Sequence, residues 1–149
     1  LHGLALMGLL AALALLPALR HPATGQAASS ASGLPKGVEP FTEARFKELK
    51  AAGKPVFVDM TAAWCITCLV NERVALDVPS TQAAFAAQGI TTLRGDWTNH
   101  DLAISAFLKA HGRDGVPFYI YSPAHGPDTV LPQILTPGLV IGTIEQKSP

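Results

Sequence analysis

The stretch Pro55-Val56-Phe57-Val58-Asp59-Met60, followed closely by Ala63-Trp64-Cys65-Ile66-Thr67-Cys68, decides the reading of this chain. Pro55 to Met60 is short, apolar and β-branched, the pattern of a central strand buried on both faces. A helix is expected next, with Cys65 in its first turn and a run through Leu69, Val70 and Glu72 to about Leu76. Two residues between the cysteines place both sulfurs on one helical face within bonding reach. Asp59 is the one charge in the strand and needs a physical reason to be there.

These are the only two cysteines in the chain. A secreted domain stapled by disulfides would carry more of them, spread along the sequence. A passive disulfide closing so small a loop adds little through chain entropy. A structural zinc site needs four ligands, and His100, His111 and His125 form no HxxxH-type pair to supply the other half. Reversible thiol chemistry remains. Thiol–disulfide exchange runs by thiolate attack, a mixed disulfide, and release by a second thiol. Cys65, at the helix N-terminus, is the expected attacking sulfur, and Cys68 the resolving one.

Three neighbours bear on that chemistry. A buried Asp59 carboxylate is costly to ionise, so it is poised to exchange protons with Cys68; the plainer reading is a strand-end helix cap. Glu72 lies four residues after Cys68, either as a second acid that repels the thiolate or as a solvated helix glutamate. Trp64 reads as a shield beside Cys65 or as packing. No Lys, Arg or His lies within Ala62 to Leu69 to offset the acids, so a comparatively reducing pair is expected. Val116-Pro117 stands just before another apolar run. Cis and trans are equally compatible with the residues there, and a cis peptide would leave strand-edge amides facing the dithiol.

Working outward, Thr42 caps a helix flanked by a Phe41–Phe46 staple, and Gly53 ends it. Pro79-Ser80 opens a further helical stretch that Gly89 closes. Ile90 to Leu93 is a second strand, and Asp96 to Asn99 a loop and cap. Asp101 to His111 has helical spacing, Phe118 to Tyr121 is a third strand, and Val130-Leu131 an edge strand. Thr136-Pro137 starts a terminal helix. Alternation of this kind predicts an α/β fold with a central mixed sheet flanked by helices. The three histidines read as surface or loop residues.

The N-terminal part differs in kind. Leu1 to Leu19 carries no Asp, Glu, Lys or Arg, and about nineteen apolar residues just cross a hydrocarbon core. It reads as a transmembrane helix, the end of a truncated membrane domain, with a truncated signal peptide or a buried core helix as alternatives. Residues 20–40, rich in Ala, Ser, Gly and Pro, read as a flexible linker to a soluble domain spanning 41–149. Eleven basic residues balance eleven acidic ones and no like-charge run exceeds two, which argues against a nucleic-acid partner.

The stretch FVDMTAAWCITCLVNE, with RGDWTNHD and GRDGVPFYIYSP further on, resembles the C-terminal thioredoxin-like domain of the DsbD/ScsB family of membrane thiol:disulfide interchange proteins. The resemblance covers about Phe41 to the C-terminus and accounts for Leu1 to Leu19 as a last membrane span. It implies a thioredoxin-like fold, a cis-proline loop at Val116-Pro117, and an active-site acid at Glu72. It also implies a protein-disulfide reductase in the periplasm, tethered to the inner membrane. Electrons would come from the membrane-embedded donor domain of the same protein and pass to periplasmic thioredoxin-like or disulfide-bonded acceptors. The redox-active disulfide would serve with no other cofactor or metal. Arg20, His21 and Lys36 by themselves would place that side in the cytoplasm, and the family placement outweighs them. The dipeptide Ile66-Thr67 suits the ScsB-like branch better. Two other functions are compatible with the residues: a disulfide oxidase or isomerase, and a Cu(I)- or Zn-binding module, the latter lacking Met or His beside the cysteines.

Overall fold

The computed structural model describes residues 33–146. The apolar run Leu1 to Leu19 and most of the linker lie outside them. No helix among the described residues is long and apolar enough to cross a membrane.

Five strands form one mixed sheet in the order β1-β3-β2-β4-β5. They are β1 (Val38–Pro40), β2 (Val56–Thr61), β3 (Thr91–Asp96), β4 (Phe118–Ser122) and β5 (Thr129–Leu131). β1 and β2 flank β3 in parallel, while β4 runs antiparallel to both β2 and β5. The helices are α1 (Glu43–Ala51), α2 (Ile66–Asn71), α3 (Pro79–Ala87), α4 (Leu102–Ala110) and α5 (Pro137–Gln146), and a π-helical turn (Glu72–Leu76) extends α2.

Local signals account for most boundaries. Thr42 accepts the Arg45 N–H at 3.1 Å as the cap of α1, Phe41 and Phe46 pack with tilted rings 6.4 Å apart, and Gly53 follows with φ of 66°. Asp101 accepts the Ile104 N–H at 3.0 Å to cap α4, and Thr136 accepts that of Leu139 at 3.2 Å before α5.

β2 is buried along its whole length, so its side chains divide between two cores with period two. Val56, Val58 and Met60 pack with Phe46, Leu49, Ile104 and Phe107 from α1 and α4. Phe57 faces the other way, onto Leu76, Phe85, Tyr119 and Val140. The alternation puts Asp59 and Thr61 on the Phe57 side, beneath α2 and the π turn.

Three expectations change. Val38–Pro40, assigned to the flexible linker 20–40, is an edge strand paired with Thr92 to Arg94, so the folded domain begins before Phe41. Its three residues carry no apolar run to mark them. β3 continues past Leu93 to Asp96, which draws Arg94 into the sheet. The helix carrying the motif does not reach Leu76 as a regular α-helix, because it widens into the π turn at Glu72.

Candidate active site

Cys65 is the N-cap of α2 and forms a disulfide with Cys68, their Cα atoms 5.3 Å apart. The Cys68 N–H donates to Cys65 Sγ at 3.2 Å, so this sulfur holds a backbone donor. Cys65 is 7% exposed and Cys68 fully buried, which makes the pair unequal towards any partner. Ala62 clusters with the two cysteines, and Val116 packs against that cluster. The Val116–Pro117 peptide is cis and stands at the entry to β4.

The floor of the site is a buried charge cluster. Asp59 lies opposite Arg94 in the β2–β3 register and opposite Tyr119 in the β2–β4 register. Arg94 Nε donates to Asp59 Oδ2 at 2.6 Å, with both side chains buried. The same guanidinium reaches Asp77 Oδ1 at 3.3 Å and Glu72 Oε2 at 3.9 Å. Glu72 Oε1 also accepts from the Thr61 hydroxyl at 2.6 Å. Desolvation pushes the Asp59 carboxyl up to about 6; the Arg94 charge opposes the rise, and the Glu72 carboxylate adds to it. Burial also drives the Tyr119 phenol upward, helped by the Asp59 charge, while its hydroxyl accepts from Asn71 Nδ2 at 2.9 Å.

Glu72 is thus not a solvated helix glutamate: its carboxylate is shared between the Thr61 hydroxyl and Arg94. Asp59 is not a helix cap, since its bonded oxygen goes to Arg94. The expectation that no cation offsets the acids holds only locally, because Arg94 arrives from β3. One signal for it was present: a carboxylate in a buried strand calls for a cation, and Arg94 directly follows the apolar run at Leu93.

Trp64 is 52% exposed beside the dithiol. Its Nε1–H donates to Thr98 O at 3.1 Å, and its ring stacks on His100 at 5.9 Å, with Trp97 at 6.1 Å. His100 is an exposed loop residue, as expected, and its stacking on Trp64 brings it to the rim of the site. Its positive φ of 54° turns the backbone tightly ahead of α4. Among the described residues, no group of three or more His, Cys, Asp or Glu side chains stands together as a metal site.

A dithiol on a helix cap, over a buried carboxylate and beside a proline loop, defines a thiol:disulfide oxidoreductase site. The family model described as Thioredoxin-like matches residues 38–124, and the chain belongs to that family. Within it, the chain is similar to the thiol:disulfide interchange protein DsbD 1 of Pseudomonas aeruginosa, 35% identical over 86 residues, which is 58% of this chain and 14% of the relative. DsbD of Cronobacter sakazakii is 35% identical over 77 residues, 52% of this chain and 13% of that protein. The chain thus spans only about one seventh of the length of these relatives. Among solved structures, the reduced C-terminal domain of Neisseria meningitidis DsbD superposes with a TM-score of 0.58 at 25% identity, over 71% of this chain and 96% of that one. Its oxidised form gives 0.60 at 24% identity, over 74% and 98%.

Proposed function

We propose that this domain is a protein-disulfide reductase that relays electrons by dithiol exchange at Cys65 and Cys68. The observation that carries the reading is the unequal pair itself: a marginally exposed Cys65 on the helix cap, and a buried Cys68 behind it on the Asp59 side of the sheet.

The exchange balances with the chain's own groups. The Cys65 thiolate attacks one sulfur of a partner disulfide, that S–S bond breaks, and the partner's other sulfur leaves as a thiolate and takes up a proton. Cys68 then gives its proton to the Asp59 carboxylate and attacks Cys65 Sγ. The Cys65–partner bond breaks, and the second partner sulfur leaves with the electron pair and is protonated in turn. Two electrons and two protons pass to the partner, and the Cys65–Cys68 disulfide remains. The disulfide itself carries the electrons, so the reaction requires no further cofactor.

Charge supports this direction of transfer. Asp59, Glu72 and Asp77 surround one cation, Arg94, so the cluster behind the dithiol is negative when all are ionised. A negative surrounding disfavours thiolate and favours the disulfide form, as a donor of electrons requires. Trp64 and the Val116-Pro117 loop would border the partner chain, Val116 through its packing against the cluster that holds the cysteines.

Similarity to the DsbD proteins and the apolar composition of Leu1 to Leu19 support placing the domain in the periplasm, tethered to the inner membrane. Its reductant would be a membrane-embedded donor domain of the same protein, and its acceptors periplasmic thioredoxin-like or disulfide-bonded proteins. The test is a Cys68→Ala variant expressed in the full-length protein, with periplasmic adducts resolved before and after reduction. The reading requires adducts that reductant releases and that the Cys65→Ala, Cys68→Ala double variant never forms. Their absence in the single variant defeats it.

A further inference from the structure

The Asp77 N–H donates to Glu72 O at 2.7 Å, the i→i+5 closure of a π turn. In a regular α-helix, residues five apart point about 140° away from each other. The wider π turn brings positions 72 and 77 towards one side, and both side chains reach the Arg94 guanidinium. Arg94 is therefore held on three sides by carboxylates from two elements, with only 8% of its side chain exposed. Nε is committed to Asp59 Oδ2, and Asp59 Oδ1 is the one buried side-chain oxygen or nitrogen among the described residues with no hydrogen-bond partner. A cleft lined by Thr61, Ala62, Leu69, Glu72 and Arg94 opens from this cluster beside the motif loop.

We propose that Asp77, carried onto the Arg94 guanidinium by the π turn, is a positioning residue for exchange at Cys65 and Cys68. Arg94 occupies one oxygen of Asp59 and leaves Oδ1 as the atom that takes the Cys68 proton. Asp77 draws part of the guanidinium's charge and so tempers its hold on Asp59. The inference rests on the reading of Asp59 as proton acceptor for Cys68. In that step the Cys68 S–H bond breaks, its proton goes to Oδ1, its electron pair forms the bond to Cys65 Sγ, and the partner sulfur leaves with the pair from the broken mixed disulfide.

The charged or titratable groups facing Asp59 are Arg94 from β3, Tyr119 from β4, and Glu72 and Asp77 from the π turn. Arg94 favours the Asp59 carboxylate, whereas Asp77 opposes it. Removing either charge therefore moves the proton step in opposite directions, which a purely structural role would not do.

The test uses the reduced full chain and a symmetric aromatic disulfide, 5,5′-dithiobis(2-nitrobenzoate). Its first thiolate release reports attack by Cys65, and its second reports resolution by Cys68. The acid limb of the second release is expected to move down by about half a pH unit in Asp77→Asn, giving about a threefold faster step below the midpoint. It is expected to move up in Arg94→Gln by about one unit or more, with Arg94→Lys in between. The ¹³C carboxyl titration of Asp59 should move in parallel. Asp77 is partly exposed, so its variant decides the matter if Arg94→Gln does not fold. Acid limbs that coincide with the unmutated protein, alongside normal two-step release, overturn the inference alone. Failure of the second release in the unmutated protein overturns the underlying reading of Cys68 instead.

Discussion

Asp59 and Arg94 face each other across parallel strands β2 and β3, joined at 2.6 Å on the side of the sheet that carries the dithiol helix. An ion pair this deep is poor evidence for stability, because desolvating both ions offsets most of their attraction. Its value lies in what it does to the carboxylate. Asp59 remains protonatable near neutral pH, while its cation fixes which oxygen is free. Burial raises the carboxyl toward neutrality and the pair with Arg94 limits that rise, so the proposed proton acceptor is still available as a carboxylate in the working range.

The same carboxyl makes stability depend on pH. Asp59 is raised from 3.8 to about 6 in the folded protein, so between those values the folded state binds more proton than the unfolded chain. Stability is therefore expected to fall as pH rises from about 4 to about 6, with a ceiling of about 3 kcal/mol for this group. Denaturant unfolding of the oxidised protein at several pH values measures the slope, and Asp59→Asn should flatten it. An unchanged slope in that variant would assign the dependence to other groups.

Burial separates the two thiols. After reduction, iodoacetamide is expected to modify Cys65 at least about tenfold faster than Cys68, because only Cys65 has any exposure and a backbone donor on its sulfur. Peptide mapping by mass spectrometry gives the ratio. Equal labelling would mean that the helix cap opens on reduction, and Cys68 could then no longer act solely as the internal resolving thiol.

Asn71 ties the active helix to β4 and to the segment that follows β5. Its side chain donates to Tyr119 Oη at 2.9 Å and to Gln133 O at 2.7 Å, and accepts the Leu135 N–H at 3.1 Å. Asn71→Ala leaves these groups unpaired in a buried place and is expected to cost about 2–4 kcal/mol. Chemical denaturation checks it. A loss below about 1 kcal/mol would mean that water replaces the amide.

Much of this site was legible because its signals are local. The apolar strand before the motif, the CxxC spacing, the Thr42 cap, Gly53 and the Val116-Pro117 dipeptide each act within a few residues. Arg94 is not legible in the sequence because its partner lies 35 residues away and the apolar run that marks β3 stops at Leu93. The π turn was missed for a different reason. Glu72 to Leu76 has ordinary helical composition, and the widening shows only in the backbone closure from Asp77 to Glu72. β1 was hidden by its length and by the Gly- and Pro-rich segment around it. His100 acquires its place only when the loop folds back to stack on Trp64.

Under the proposed function this dithiol gives electrons rather than takes them. Its reduction potential, measured by equilibrating the protein with thiol redox buffers and quantifying free Cys65 and Cys68, tests this most directly. A value near the roughly −270 mV of thioredoxin is expected; one near the roughly −120 mV of a strong disulfide-forming oxidant would contradict it.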